Sequence, residues 1–572
     1  MQLNHPTFCQ RPIAVCLGGI LLSFSALLYA VEGSDHLNVP DNPLPDYRSA
    51  QPNEAFQLPP LTPFNASDAP SATMDTSAGF NLKRVIFRGH TVFQTSELDA
   101  IAAPYLQRRI SQADLEDLRQ KLTRHYVDRG YVNSGVLLKP ETQTDQAVFD
   151  VVEGRLTSVQ LHGQGRLDEA YVISRLAKQD DGPLNIDLLR ERYLLLLDDP
   201  LILRMNARLL PDTRPGTALL DIDLERARPY HLSFFFNNYR PPSIGSEAIG
   251  VSGWVRNLTG YGDVLEASWQ DSAGHGSSPR TGLGWHIPVN QLGTRLSVQF
   301  DHGQSSVVEE PMQSLDIKST LDSREVGIEQ TLIESLTHKL SLGLSQVSRQ
   351  NQTWLLGVPY SFNPGEPSGV TDESLQRFWQ EYAYRSETQV LALRSTFTSG
   401  SNNVQDIAGL PPNTLPSNKY NIWLGQAQYA RQVLGKGAQF IVRATLQQTS
   451  DKLLALDGMA IGGIASVRGF RENQLIRDNG EIFNIEFEYP LSIRSVTGLK
   501  LALIPFYDRG RGWNKGDSAT TLSSLGLATR LKWTNFNLDM AIAKRLQSVE
   551  LIQSGGSVLQ DQGIHFQASY QY

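Results

Sequence analysis

Only two cysteines occur in 572 residues, Cys9 and Cys16, and both fall within the first thirty positions. Their absence elsewhere excludes a disulfide framework and thiol chemistry from the rest of the chain. Long apolar runs are equally scarce: after the stretch from Ile13 to Tyr29, nothing approaches the roughly 20 residues that a spanning helix needs. With hydrophobic residues at 40% and mean hydropathy at -0.28, the chain is too polar for a helical membrane protein. A formal net charge of -8 gives no basic excess for a nucleic-acid partner. The signatures His-Glu-x-x-His, Cys-x-x-Cys and Gly-x-Ser-x-Gly and a phosphate loop are all missing, and the histidines are scattered without metal-ligand spacing. The stretch Arg509-Gly510-Arg511-Gly512-Trp513 has glycines and charge but not dinucleotide spacing. No catalytic role and no cofactor are expected.

What is present begins with Arg11 and the apolar run behind it, interrupted by Gly18 and Gly19 and followed by Ala30. This reads as a signal peptide over residues 1–30, with Leu28 larger than a cleavage site prefers. Residues 31–79, with Val39-Pro40-Asp41-Asn42-Pro43-Leu44-Pro45 and Leu58-Pro59-Pro60, read as a Pro-rich linker or arm. No clear amphipathic helix is visible there.

From Phe80 a pattern of strand, helix, helix, strand, strand appears twice. In the first copy, Phe80 to Phe93 reads as a strand with a turn at Gly89, and helical spacing covers Ser96 to Arg109 and Gln112 to Asp128, with Leu115, Leu118, Leu122 and Tyr126 on one face. Ser111 is placed to cap the second helix and Gly130 to end it; Val132 to Lys139 and Gln146 to Val152 follow as strands. The second copy gives a strand at Leu156 to His162, helices at Glu169 to Ala177 and Ile186 to Leu197, and strands at Leu203 to Leu210 and Ala218 to Leu224. Two tandem α+β modules, 80–154 and 155–228, follow from this repeat.

After Pro229 helical spacing gives way to alternation. Leu296, Val298 and Phe300 oppose Arg295, Ser297, Gln299 and Asp301; Phe440, Val442, Ala444 and Leu446 oppose Gln439, Arg443, Thr445 and Gln447; Phe483, Ile485, Phe487 and Tyr489 oppose Asn484, Glu486 and Glu488. A wall with lipid on one side and water on the other requires this split, and a membrane protein without spanning helices must be a closed barrel. Residues 229–572 suffice for about 12 to 18 spanning strands. In the stretch from Leu499 to Gly510, alternation puts Ala502, Ile504, Phe506 and Asp508 on the lumen side. An isolated aspartate in such a wall is costly unless it meets a cation.

These features together resemble a known family. The paired modules, with Tyr126-Val127-Asp128-Arg129-Gly130-Tyr131-Val132 and Gly182-Pro183-Leu184-Asn185-Ile186, are similar to the POTRA domains of two-partner secretion transporters. Ile461-Gly462-Gly463-Ile464-Ala465-Ser466-Val467-Arg468-Gly469-Phe470 resembles the loop-six signature of the wider Omp85 superfamily, within a connection spanning about 451–480. Phe506-Tyr507-Asp508-Arg509-Gly510 resembles the wall motif that loop meets. The resemblance implies a membrane β-barrel of sixteen antiparallel strands behind two POTRA modules, with an inward-folded loop whose Arg468 pairs with Asp508. It also implies an outer-membrane pore that captures an unfolded partner exoprotein bearing an N-terminal secretion domain and exports it. Tyr126, Gly130 and Tyr131 are then the candidate recognition region. Phe566, Tyr570 and Tyr572 resemble the terminal signal read by the outer-membrane barrel assembly machinery, which more often ends in Phe. Outer-membrane lipid is the expected surround. A protein insertase, which usually carries more POTRA modules, and a nutrient or haem-related channel, which needs neither POTRAs nor loop six, are the alternatives.

Overall fold

The computed structural model describes residues 80–572 except 140–144, 178–181, 215, 275, 364, 410–413, 435–436, 492, 494–495 and 548–556. The expected signal peptide and Pro-rich arm lie outside the described residues. The rest divides between an N-terminal α+β unit and a barrel unit.

The first module runs β1 (Phe80–Leu82), β2 (Arg84–Arg88), α1 (Thr95–Ala102), β3 (Arg108–Ile110), α2 (Gln112–Val127), β4 (Gly135–Leu138) and β5 (Gln146–Val152). β5 lies between β2, to which it is parallel, and β4, to which it is antiparallel. Parallel pairing demands a crossover, and the two helices provide it. The first helix is shorter than the expected Ser96 to Arg109. The chain tightens into a 3-10 turn at Ala103–Tyr105 with Pro104 inside it, Gln107 takes a positive φ, and Arg108–Ile110 pairs with β1 instead. α2 starts with a capping box: the Ser111 hydroxyl accepts the Asp114 N–H, and the Asp114 carboxylate accepts the Ser111 N–H at 2.8 Å. The face carrying Leu115, Leu118, Leu122 and Tyr126 is buried against Phe149, Val136 and Leu98.

The second module repeats the plan with β6 (Arg155–His162), α3 (Glu169–Leu176), α4 (Ile186–Leu197), β7 (Ile202–Pro211) and β8 (Thr217–Arg226), in sheet order β6-β8-β7. Leu176, Leu189, Tyr193, Leu196, Leu220 and Ile222 are among its core residues.

The barrel unit contains β9 (Tyr230–Asn237), β10 (Ala248–Arg256), β11 (Val264–Ser272), β12 (Arg280–Pro288), β13 (Thr294–Ser306), β14 (Lys318–Glu334), β15 (His338–Leu355) and the short β16 (Val358–Pro359). It continues with β17 (Val370–Arg385), β18 (Gln389–Asn402), β19 (Lys419–Gln432), β20 (Gln439–Gln448), β21 (Met459–Ile461), β22 (Leu475–Arg477), β23 (Asn479–Leu491), β24 (Leu499–Trp513), β25 (Thr520–Trp533), β26 (Phe536–Arg545) and β27 (Ile564–Gln571). Sixteen of these form an antiparallel closed wall; β16 only extends the edge of β15, and β21 pairs with β22 inside the β20–β23 connection. Closure joins β27 to β9, from Gln567 opposite Asn237 to Gln571 opposite Ser233. Phe566 packs on Phe236, and the Tyr572 ring stacks on that of Tyr230.

The burial pattern is inverted relative to a water-soluble sheet protein. Phe300 is 48% exposed and Val326 58%, whereas Arg394 and Glu486 are each 7% exposed. Along the middle of the strands apolar side chains face outward and charged ones inward, as lipid outside and a polar lumen require. Several inward charges are paired, among them Arg394 with Glu381 at 3.1 Å and Arg530 with Glu488 at 2.8 Å.

Candidate functional site: loop six and the barrel wall

The connection from β20 to β23 folds back among inward-facing residues of the wall. It brings its own apolar core, because Met459, Ile461, Val467, Phe470 and Leu475 are buried together with Leu522 of β25. Close approach at this point depends on small wall residues. A Cβ on Gly510 would stand 2.4 Å from Ile461 Cγ2 and 2.8 Å from Val467 Cγ2, so any side chain there displaces the loop. The turn behind the arginine needs glycine for backbone reasons. Gly462 and Gly463 have φ of 117° and 100°, and a Cβ on Gly463 would overlap the Glu472 carboxylate.

This turn presents Arg468 to Asp508. Nε donates to Oδ2 at 2.7 Å and Nη2 to Oδ1 at 2.7 Å, and the backbone N–H of Arg468 adds a third bond at 3.1 Å. Asp508 is fully buried and Arg468 6% exposed, so both charges depend on these contacts. The structure also supplies the arginine with partners beyond Asp508. Nη1 of Arg468 lies 2.8 Å from Glu486, which Arg443 also meets at 3.0 Å. The Asn484 amide donates to Asp508 at 2.8 Å and to the Ser466 carbonyl at 2.6 Å, tying wall and loop together. The guanidinium lies 3.5 Å from the Phe506 ring centroid, in cation–π distance. Alternation had placed Asn484, Glu486 and Phe506 on the inner face, but it carried no signal for which loop residue they meet.

Three further anchors hold the same loop. Arg471 forms a fork with Asp561 and reaches Glu309 at 2.7 Å. The Gly469 N–H donates to His565 Nε2 at 3.1 Å, next to buried Phe470. On another part of the wall, Asp457 accepts from Arg349 at 3.1 Å and from the Tyr420 hydroxyl. A lumen cavity of about 690 Å³ remains beside the loop, lined by Glu325, Arg377, Arg394, Asp457 and Ser466 among others. Wall and loop are thus connected at four places.

Of the three POTRA candidates, Tyr126 and Gly130 are buried and Tyr131 is half-buried. Tyr126 is fully buried, edge-on to Phe93, and donates its hydroxyl to Glu153 at 3.1 Å. Burial pushes the Tyr126 phenol up. Burial also works against the Glu153 charge, but the Thr91 hydroxyl, the N–H groups of Val92 and Thr91, and the Tyr126 hydroxyl together hold its carboxyl below the usual range. Gly130, with φ of 88°, offers its carbonyl to the Ile186 N–H at 2.9 Å, while Asn185 Nδ2 donates to the Arg129 carbonyl at 3.1 Å. Tyr131 is half-buried against Phe93 and Tyr126. These residues build the module core and the junction with the next module, so Tyr126 and Gly130 offer no side chain to a passing polypeptide.

Comparison with known proteins fits this architecture. The haemolysin secretion/activation protein family ShlB/FhaC/HecB matches residues 216–533, more than half of the chain, and the ShlB-type POTRA domain matches residues 80–154. The chain is 21% identical over 509 residues to the outer membrane transporter CdiB of Dickeya dadantii (strain 3937), covering 85% of this chain and 86% of that protein. It is 21% identical over 486 residues to the heme/hemopexin transporter protein HuxB of Haemophilus influenzae (strain 86-028NP), covering 80% of each. The solved structure of CdiB from Escherichia coli superposes with a TM-score of 0.68 at 17% identity, over 97% of this chain and 98% of that one. With a sixteen-strand barrel, α+β modules before it and a loop anchored inside it, this chain belongs to the ShlB/FhaC/HecB family, the outer-membrane transporters of two-partner secretion.

Proposed function

We propose that the barrel is the conduit by which one partner exoprotein leaves the cell, and that loop six latched to Asp508 is its resting state. The observation that carries this reading is the bidentate Arg468–Asp508 contact, made by a loop that occupies the lumen on its own apolar core. Ion pairs on the inner wall, such as Arg394 with Glu381 and Arg530 with Glu488, support passage of an unfolded chain, since a paired charge holds a passing segment less tightly than a bare one. The exoprotein enters as an extended segment bearing an N-terminal secretion domain. Strand addition at a POTRA sheet edge suits such a segment, and β7 is an outer strand with Leu203 and Leu210 exposed. Folding outside the membrane biases the movement outward, so no nucleotide is consumed. During biogenesis the barrel assembly machinery reads β27, with Tyr570 and Tyr572 exposed near the seam, and lipid then covers the outward apolar band.

Export is tested by assaying the medium for the exoprotein in cells carrying Arg468→Asp, Asp508→Arg or both, with heat-modifiable migration reporting barrel assembly. Each single reversal is expected to reduce export from an assembled barrel, and the double reversal to recover part of it. A double variant that exports no more than either single removes the latch from the mechanism. Undiminished export after deletion of the whole chain overturns the transport assignment.

A further inference from the structure

The outward side of β24 carries charges that neither latch nor lumen uses. Asp508, Gly510 and Gly512 are buried on the inner side, so Arg509 and Arg511, which alternate with them, are exposed on the face that meets lipid. Arg509 stands opposite Phe483 and Ser523, and Arg511 opposite Glu481 and Thr521. Lys544 on β26, opposite Leu525, adds another exposed cation to the same face. Among the described residues of this patch the carboxylate is Glu481, 3.8 Å from Arg511, and three cations against one carboxylate leave positive charge in excess. Phe483, 40% exposed, and Leu525, 56% exposed, show that the surroundings are the apolar band.

The position along the strand follows from chain direction. β9 starts at the end where the chain leaves the periplasmic modules, and successive wall strands alternate, so β24, the thirteenth, runs outward. Arg509 and Arg511 therefore lie near its outer end, followed by Trp513, whose ring centroid is 5.3 Å from the Arg511 guanidinium. Arginine on a barrel's lipid face is costly at mid-bilayer and tolerated at the headgroup level, where aromatics also gather. An anion at that level answers the excess charge, and a guanidinium fork matches phosphate oxygens.

We propose that Arg509, Arg511 and Lys544 bind the phosphate groups of an anionic outer-leaflet glycolipid whose acyl chains lie along Tyr507, Phe483 and Leu525. The backbone that turns Asp508 toward the latch thus turns its two neighbouring arginines toward this lipid.

The test uses the purified full chain in phosphatidylcholine nanodiscs, with bound bis-phosphorylated lipid A counted by native mass spectrometry, so no step depends on secretion or on the latch. Arg509→Gln combined with Arg511→Gln is expected to weaken binding by about tenfold or more, and dephosphorylated lipid A to bind the unmodified chain correspondingly less well. Heat-modifiable migration checks the fold. Should the double variant fail to assemble, Lys544→Gln and the dephosphorylated lipid on the unmodified chain still decide. Equal retention of both lipids overturns the proposal, and so does full displacement of lipid A by an equal concentration of inorganic phosphate, which would mark a free-anion site.

Discussion

Replacing Arg468 with glutamine isolates the charge on Asp508 inside the lumen. The substitution removes two charge-assisted bonds of 2.7 Å and leaves the carboxylate with the backbone N–H of residue 468 and the Asn484 amide. Because Asp508 is fully buried in the latched state, water relieves little of the loss, and breaking such a pair from one side costs about 3–5 kcal/mol. Glu486 softens the consequence on its own side, since it keeps Arg443 at 3.0 Å. In the proposed open state Asp508 still faces the lumen from the wall but without the loop over it, so the cost falls mainly on the closed state. A factor of ten per 1.4 kcal/mol then shifts the closed-to-open ratio by roughly two to three and a half orders of magnitude. Asp508→Asn should do less, because Arg468 retains Glu486 at 2.8 Å. Removing both charges in Arg468→Gln/Asp508→Asn should cost less than the sum of the two singles, with a coupling of about 1.5 kcal/mol or more. Single-channel recording of purified protein in planar bilayers gives the open occupancy of each variant. Wild-type occupancy in Arg468→Gln, together with additivity in the double variant, would refute the claim that this pair sets the resting state.

Gly510→Val places a branched side chain where Ile461 and Val467 already lie, 2.4 and 2.8 Å from the new Cβ, and should destabilise the folded-in loop by about 1–3 kcal/mol. Limited proteolysis of the loop, faster in the variant while the barrel still migrates as folded, checks it. In the first POTRA module the Glu153 carboxyl is held below its unfolded range, so its contribution is present in full above the unfolded carboxylate pKa and fades as pH falls through the folded value. Hydrogen exchange on the full chain should show the segment around Thr91 and Val92 protected at neutral pH and loosened in acid, with Glu153→Gln flattening that dependence.

Phe483, Ile485 and Tyr489 announce a lipid-facing strand because a pleated strand has only two faces, and that alternation is written in the order of residues. Ser111 and Asp114 likewise announce the start of α2, since a cap is a contact across three positions. Where local spacing was the sole guide the reading overran: helical periodicity continued to Arg109, but Pro104 and the pairing of Arg108–Ile110 with β1 stopped the helix earlier. Tyr126 was visible as a helix-face aromatic, and only packing assigned it to the core and joined it to Glu153.

The sequence by itself therefore determined the strand and helix periodicities, the inward direction of Asp508 and, through resemblance, the pairing with Arg468. Tertiary structure alone decided which inward residues complete the latch. Arg471 meets Glu309 and Asp561, Asp457 meets Arg349, and Asn484 bridges Asp508 to Ser466. Alternation fixes the face on which a side chain lies, whereas its partner depends on how the wall closes and where a returning loop comes to rest, over separations that no local spacing encodes.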